Sequence, residues 1–346
     1  MDIYAEITGI KYTPYLCKKL ECYDINDLDS KRLHGTSTFI LNIDGNRIAL
    51  SWWVSPKRTR SYPYARVYDS LTFSGKRVTI IPLIKDEGID GDRDYLQWDT
   101  VSLMSLLGIY VIIAYYSDAS KNTRYQNKLT DQRFDISYIK EKIRELLNYQ
   151  SDALHWNLSE LNNIHTIVQK ALDSYVSIST RLGVKLHSIN YAKKRINELI
   201  KSKEMFMALS RESAKKAQKR EVVTVQPKEN LKDKKATLTI KNYLGGEYYF
   251  TCDEAEIKDD KIYLIEGKHT KSSLLPSLED IKDGLLKMIL YVNLENVRIG
   301  NRTYRHIPLL KLTSDDIKSI ELLTENPRYK DIIECLRNEA KTNKFV

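Results

Sequence analysis

The chain has 346 residues, of which 42% are apolar and 29% charged; 55 Lys and Arg against 46 Asp and Glu leave a net charge of +9. This length suits two domains or one large domain with additions, and the composition excludes the disordered and fibrous classes. Four cysteines (Cys17, Cys22, Cys252 and Cys335) are too few for a disulfide framework and contain no CxxC zinc pair.

The opening Met1-Asp2-Ile3-Tyr4-Ala5-Glu6 has no basic stretch followed by an apolar one, so no signal peptide is expected and a reducing cytoplasm is the expected location. Residues 1–117 read as an α/β region. Strands are predicted over Ser37–Ile43, Asn46–Val54, Arg66–Phe73 and Lys76–Leu83, with Asp44-Gly45 and Ser74-Gly75 as hairpin turns. The apolar run Val101–Tyr116 imitates a membrane span. At 16 residues it is shorter than the ~20 a helix needs to cross a bilayer. It is better read as a helix ending at Leu107, a stop at Gly108 and a buried strand Ile109–Tyr116.

Residues 118–235 read as a helical, basic segment and linker. The 3.6 period places helices at residues 136–147 and Ser159–Tyr175, and a third over Asn190–Leu209. Between Tyr191 and Lys235, fourteen Lys and Arg face six Asp and Glu, so +8 of the chain's charge lies in 45 residues. Such a block is an electrostatic footprint for a polyanion. Lys193, Lys194, Arg195, Lys215 and Lys216 are its candidate phosphate contacts. A second basic and aromatic stretch holds Arg58, Arg60 and Arg66 with Lys57, Tyr62, Tyr64 and Tyr68. It suits either phosphate and base contacts or an exposed hairpin tip. Asp90, Asp92 and Asp94 mimic an EF-hand start, but Tyr95 and Val101 stand where that loop needs Gly and Glu. The acidic loop 86–94 is instead expected to cap the following helix, with DNA reading or a second metal as the other readings.

Residues 236–346 change character. Strands are predicted over Thr237–Ile240, Glu247–Ile257 and Lys261–Glu266, with a tight turn at Lys258–Lys261. Ser277 is the expected N-cap of a helix running to about Val292. A hairpin at Gly300-Asn301 leads to a strand Tyr304–Leu312, and two closing helices are punctuated by Ser314 and Pro327.

The chemistry lies in the first hairpin of this region. A two-residue turn at Asp259-Asp260 sets Ile257 opposite Ile262, Ala255 opposite Leu264 and Asp253 opposite Glu266. Directly opposed residues share a face, and Lys268, two residues past Glu266, projects from it too. Two carboxylates with a nearby ammonium suit Mg²⁺ and phosphodiester hydrolysis. A longer turn would offer Glu254 or Glu256 as the first acid instead.

This constellation resembles the PD-(D/E)xK nuclease superfamily, with Asp253 as first acid, Glu266 as second and Lys268 as the lysine. Cys252 stands where the family name has Pro. The stretch through Ile265-Glu266-Gly267-Lys268-His269, Pro276-Ser277 and Asp280–Leu285 looks like the type II restriction endonucleases. The resemblance implies a restriction-endonuclease-like core, a mixed sheet flanked by helices, carrying an N-terminal α/β region and a helical insert. It implies Asp253, Glu266 and the Gly267 carbonyl as ligands of a Mg²⁺ cofactor. Asp253, Glu266 and Lys268 are then the catalytic residues; His269, beside Lys268, suits either contact with the scissile phosphate or a structural hydrogen bond, and Lys271 is a candidate DNA contact. The implied activity is sequence-specific cleavage of double-stranded DNA by a homodimer, with a cognate DNA methyltransferase as genetic partner. A structure-specific or repair nuclease and a non-catalytic nucleic-acid-binding protein are the alternatives.

Overall fold

The computed structural model describes residues 1–29, 37–57, 63–200, 236–242, 247–316 and 326–346. Contacts divide the chain into two units: Met1–Lys19 with Arg211–Val346, and Leu20–Ser210. The segmentation at residues 117 and 235 does not coincide with this division. The reason is strand pairing: the chain's first strand completes the sheet of the C-terminal unit.

In the Leu20–Ser210 unit, β2 (Cys22–Asp24), β3 (Thr38–Ile43), β4 (Asn46–Trp52), β5 (Arg77–Pro82) and β8 (Ile109–Ala114) form one sheet in the order β2-β3-β4-β5-β8. The β3–β4 pair is antiparallel across Asp44-Gly45, whose positive φ angles (49° and 85°) match the predicted hairpin. The other pairs are parallel. Strands β5 and β8 are apolar along most of their length because both faces are covered. The predicted strand Arg66–Phe73 is instead part of a helix, α1 (Pro63–Asp69), and Ser74-Gly75 does not close a hairpin. Tyr64, Val67 and Tyr68 are buried by the helical period, and the run was too short for pattern alone to separate the two states.

Two small strand pairs complete this unit: β6 (Ile84–Asp86) with β7 (Arg93–Tyr95), and β9 (Tyr116–Lys121) with β10 (Leu129–Phe134). The second pair lies where the sequence reads as helical. The helices are α2 (Trp98–Leu106), α3 (Ile136–Asn148), α4 (Ala153–Asn162), α5 (Ile164–Leu182) and α6 (Ile189–Ile200); α3 matches its predicted period, α4 begins at Ala153, where no helix is predicted, and the part of the third expected helix beyond residue 200 lies outside the described residues. The single helix expected over Ser159–Tyr175 is broken at Asn163, the residue between α4 and α5. Gly108 (φ 66°) ends the α2 turn as expected.

Asn157 ties α4 to the sheet. Its Oδ1 accepts from Val111 N at 2.7 Å, and its Nδ2 donates to Ile109 O at 3.0 Å and to Ser105 Oγ at 2.9 Å. Asn157→Leu takes the side-chain partner from the buried Val111 N–H and Ile109 carbonyl, while Ser105 Oγ keeps its bond to Val101 O, so a loss of about 2–4 kcal/mol is expected. Chemical denaturation measures it, and a loss under about 1 kcal/mol would show that the sheet is held otherwise.

In the other unit, β1 (Asp2–Ile7) lies parallel to β11 (Ala236–Asn242) and antiparallel to β15 (Glu295–Ile299). With β12 (Glu247–Cys252) and β16 (Arg302–Thr303) the sheet order is β12-β11-β1-β15-β16. Ile3, Ala5 and Ile7 alternate inward along β1. A second sheet has the order β13-β14-β17, from β13 (Glu254–Lys258), β14 (Lys261–Thr270) and β17 (Arg305–Ser314). The first pair is antiparallel and the second parallel. α7 (Leu278–Val292), between β14 and β17 in the chain, packs on both, and α8 (Pro327–Asn343) closes the unit. Ser277 caps α7 as expected, its side chain accepting from Asp280 N. The first of the two expected closing helices falls outside the described residues.

The chain is thus mixed α/β, with mixed sheets and, among the described residues, eight helices. No helix among them is long and apolar enough to cross a membrane.

Candidate active site

The hairpin register is Lys258–Lys261, Ile257–Ile262, Ala255–Leu264 and Glu254–Ile265. The turn at Asp259-Asp260 has the expected two residues, with Asp259 in the left-handed region (φ 55°). The ladder ends at Glu254. The strand predicted as continuous over Glu247–Ile257 is interrupted at Asp253, where the chain passes from the β12 sheet to the β13 sheet. Cys252, directly before Asp253, fills this corner. Its fully buried thiol donates to Glu254 O at 2.9 Å, and burial pushes its pKa far up.

Asp253 therefore does not pair with Glu266 in the ladder, yet it reaches the same region. Its Oδ2 accepts from Gly267 N–H at 2.9 Å, and its other oxygen has no hydrogen bond among the described residues. Glu266 is 1% exposed. Burial raises its pKa first and the charge of Asp253 raises it further, while Lys287 and Lys268 pull it down; the net direction is upward. Lys268 Nζ lies 2.9 Å from Glu266 Oε1, and Lys287 Nζ lies 2.9 Å from Glu266 Oε2. Lys268 also bonds Asp283 Oδ2 on α7 at 2.8 Å. Burial lowers the Lys268 pKa, but Glu266 and Asp283 outweigh it and hold the ammonium well above the usual lysine value. Glu266 and Asp283 thus hold the Lys268 ammonium from two sides.

α7 can come this close because position 284 is glycine. A Cβ there would lie 2.7 Å from Leu310 Cδ1 and 3.3 Å from Lys268 Cε. The alternative acids stand elsewhere. Glu254 bonds Lys311 at 2.8 Å, and alternation along β14 puts its partner Ile265 on the face opposite Glu266. Glu256 is half exposed and bonds Lys258 at 3.0 Å. Asp253, Glu266 and Lys268 are thus brought together with two residues that motif reading missed, Asp283 and Lys287. Their i, i+4 spacing on an amphipathic helix was the available signal.

Among the described residues, no group of three or more His, Cys, Asp or Glu side chains gathers to hold a metal. The donor set still fits Mg²⁺, which keeps most of its waters and takes one or two carboxylates. The Asp253 oxygen left without a hydrogen bond would be one such donor, and Glu266, both of whose oxygens carry an ammonium here, would be the other.

The expected DNA contacts are placed less uniformly. His269 is buried, with Nδ1 3.0 Å from Thr313 Oγ1 and Nε2 3.5 Å from Asp315 Oδ1, so its ring is held against β17. Lys271 is exposed and lines a hollow of about 610 Å³ with Thr270, Ser273 and Ser277. Lys193 and Lys194 are exposed on α6, and the side chain of Arg195 lies outside the described residues. Lys215, Lys216, Arg58 and Arg60 also lie outside them. Arg66 turns inward and donates to Trp52 O at 2.6 Å, and Tyr64 and Tyr68 are buried, so these three are not an exposed hairpin tip. Loop 86–94 joins β6 to β7 and does not cap α2, which has no side-chain cap bond. Its acids accept instead from the Gly88 and Asn127 amides and from Ser55 Oγ, and Asp86 pairs with His187 at 2.8 Å.

Comparison of the chain with protein-family models, with curated proteins and with solved structures finds no match.

Proposed function

We propose that this chain is a Mg²⁺-dependent endonuclease that cleaves double-stranded DNA at specific sequences, on a core of the PD-(D/E)xK type. The observation that carries the reading is the convergence of Asp253, Glu266 and Lys268 at one end of a β-hairpin, with α7 packed against it. Asp253, Glu266 and the Gly267 carbonyl would hold the ion. A bound Mg²⁺ supplies a water of lowered pKa and stabilises charge on a phosphoryl oxygen. Lys268, kept protonated by Asp283 and Glu266, neutralises the scissile phosphate and orients the attacking water. The exposed Lys193, Lys194 and Lys271 contribute sequence-independent phosphate affinity. A symmetric target is matched by a homodimer, and a DNA methyltransferase protects the host's own sites in the cytoplasm.

One observation favours a second reading. Both Glu266 oxygens already carry an ammonium, as they would in a purely structural ion-pair network. Plasmid digestion separates the two. Discrete bands with Mg²⁺, and none with EDTA, are expected of the nuclease. Intact plasmid under Mg²⁺, Mn²⁺ and Co²⁺ would favour the structural network, and a smear would remove sequence specificity.

A further inference from the structure

Away from the hairpin cluster, the Leu20–Ser210 unit holds a hollow of about 890 Å³. Sites for small ligands commonly span about 300–1,000 Å³ and join apolar walls to a few placed polar groups. This hollow is lined from the end of β4 and from the β9–β10 pair. The Tyr116 hydroxyl donates to Val54 O at 2.9 Å and ties the two together. Phe134 stacks on the buried Tyr116 ring, with centroids 4.5 Å apart and planes inclined by 22°. Phe134 is itself half-buried, as is Trp52, which meets Phe39 edge-on at 5.5 Å. Aromatic surface therefore borders the hollow on both β4 and β10.

The charged groups of the wall are matched. Asp29 pairs with Lys140 at 2.7 Å, and Glu87 with Lys85 at 3.1 Å and Lys128 at 3.7 Å. Asp118 pairs with Arg133 and Arg181, and Arg133 also meets Asp131 at 3.3 Å. Asp135 caps α3 and accepts from the Tyr115 hydroxyl. These five acids and five cations balance, so the hollow suits an uncharged ligand. Gln132 adds hydrogen bonding of fixed geometry. Its Oε1 accepts from the Tyr175 hydroxyl at 2.7 Å, and its Nε2 donates to Asp86 O at 2.8 Å. An amide oxygen has two lone pairs and an amide nitrogen two N–H groups, so the side chain keeps one acceptor and one donor position. That pairing is what reads the edge of a nucleobase, adenine above all. Aromatic faces hold any base by stacking.

We propose that this hollow binds one nucleobase, stacked on the Trp52 and Phe134 surface with Gln132 reading its edge. The base enters as a free nucleoside or extruded from a strand, with sugar and phosphate left at the mouth. The charge of +8 between Tyr191 and Lys235 favours nucleic acid over other sources of a planar ring. The inference goes beyond the nuclease reading: the hollow shares no residue with the Asp253, Glu266 and Lys268 cluster and needs no metal.

Calorimetric titration of the full chain in EDTA tests it, with deoxynucleosides, short single strands of dA or dT, and inorganic phosphate as probes. Deoxynucleosides are expected to bind, deoxyadenosine most tightly, and phosphate is not. Phe134→Leu keeps an apolar cover on Tyr116 but removes the stacking face, and is expected to weaken binding about fivefold or more. Thr130→Trp brings a bulky ring to the rim from an exposed strand position, and is expected to block binding while the core stays intact. Irradiation of the wild-type protein with 8-azidoadenosine gives a readout that needs no variant. Its adducts are expected on peptides carrying Trp52 or Phe134. Binding by strands alone, weakened in both variants, identifies a base presented by a strand; binding by deoxynucleosides as well shows that the free base suffices. No binding by any nucleoside or strand, affinity unchanged in both variants, phosphate binding as tight as deoxyadenosine, or adducts confined to other residues would overturn the assignment.

Discussion

Lys268→Met is expected to slow DNA cleavage about 10³-fold or more while leaving DNA affinity within a few-fold, because a preorganised charge aimed at the reacting phosphate commonly supplies that much. The lysine is suited to this role by its two carboxylate partners, which hold its ammonium in place and keep it charged. Methionine preserves the length of the stem beside Gly284, so the packing of α7 on β14 should survive. The variant leaves Glu266 its bond to Lys287. Single-turnover cleavage of a mapped plasmid fragment, with a filter-binding measurement in Ca²⁺, separates chemistry from affinity. Full activity in Lys268→Met would remove the residue from the reaction.

The second large effect concerns the first acid. Asp253→Asn is expected to lower cleavage about 10²- to 10⁴-fold and to abolish tight Mg²⁺ dependence. The amide oxygen can still accept from Gly267 N–H, so the corner at residue 253 should keep its shape. The change also removes the like charge that raises the Glu266 pKa, so thermal stability should hold or increase. Glu254→Gln and Glu256→Gln are expected to retain activity within about threefold, because one bonds Lys311 on the other face and the other is half exposed. Loss of cleavage in Glu254→Gln with retention in Asp253→Asn would reverse this assignment.

Much of the site's frame was legible from local rules. A two-residue turn with an acidic residue able to take positive φ set the hairpin register from Lys258–Lys261 to Ala255–Leu264. Ser277 three residues before Asp280 marked the start of α7, and its apolar period marked the buried face. What local rules missed was non-local. The strand period continues smoothly through Asp253, so nothing in it signals that β12 and β13 join different sheets. The short run Arg66–Phe73 is apolar enough for either state, and packing against the β3–β4 sheet decides for helix.

The amino-acid sequence by itself determined the hairpin, its turn and the cap of α7, because each depends on residues only a few positions apart. It also placed Glu266 and Lys268 on one face, since strand side chains alternate with period two. Only the tertiary structure decided that β1 joins β11 across more than 200 residues and that Asp253 stands at a corner between sheets. Only packing across Gly284 brought Asp283 and Lys287 to the lysine and glutamate of the hairpin. The physical reason is the same in each case: the charge state of a buried carboxylate or ammonium is set by whatever the fold places within a few ångströms of it, and sequence spacing does not encode that distance.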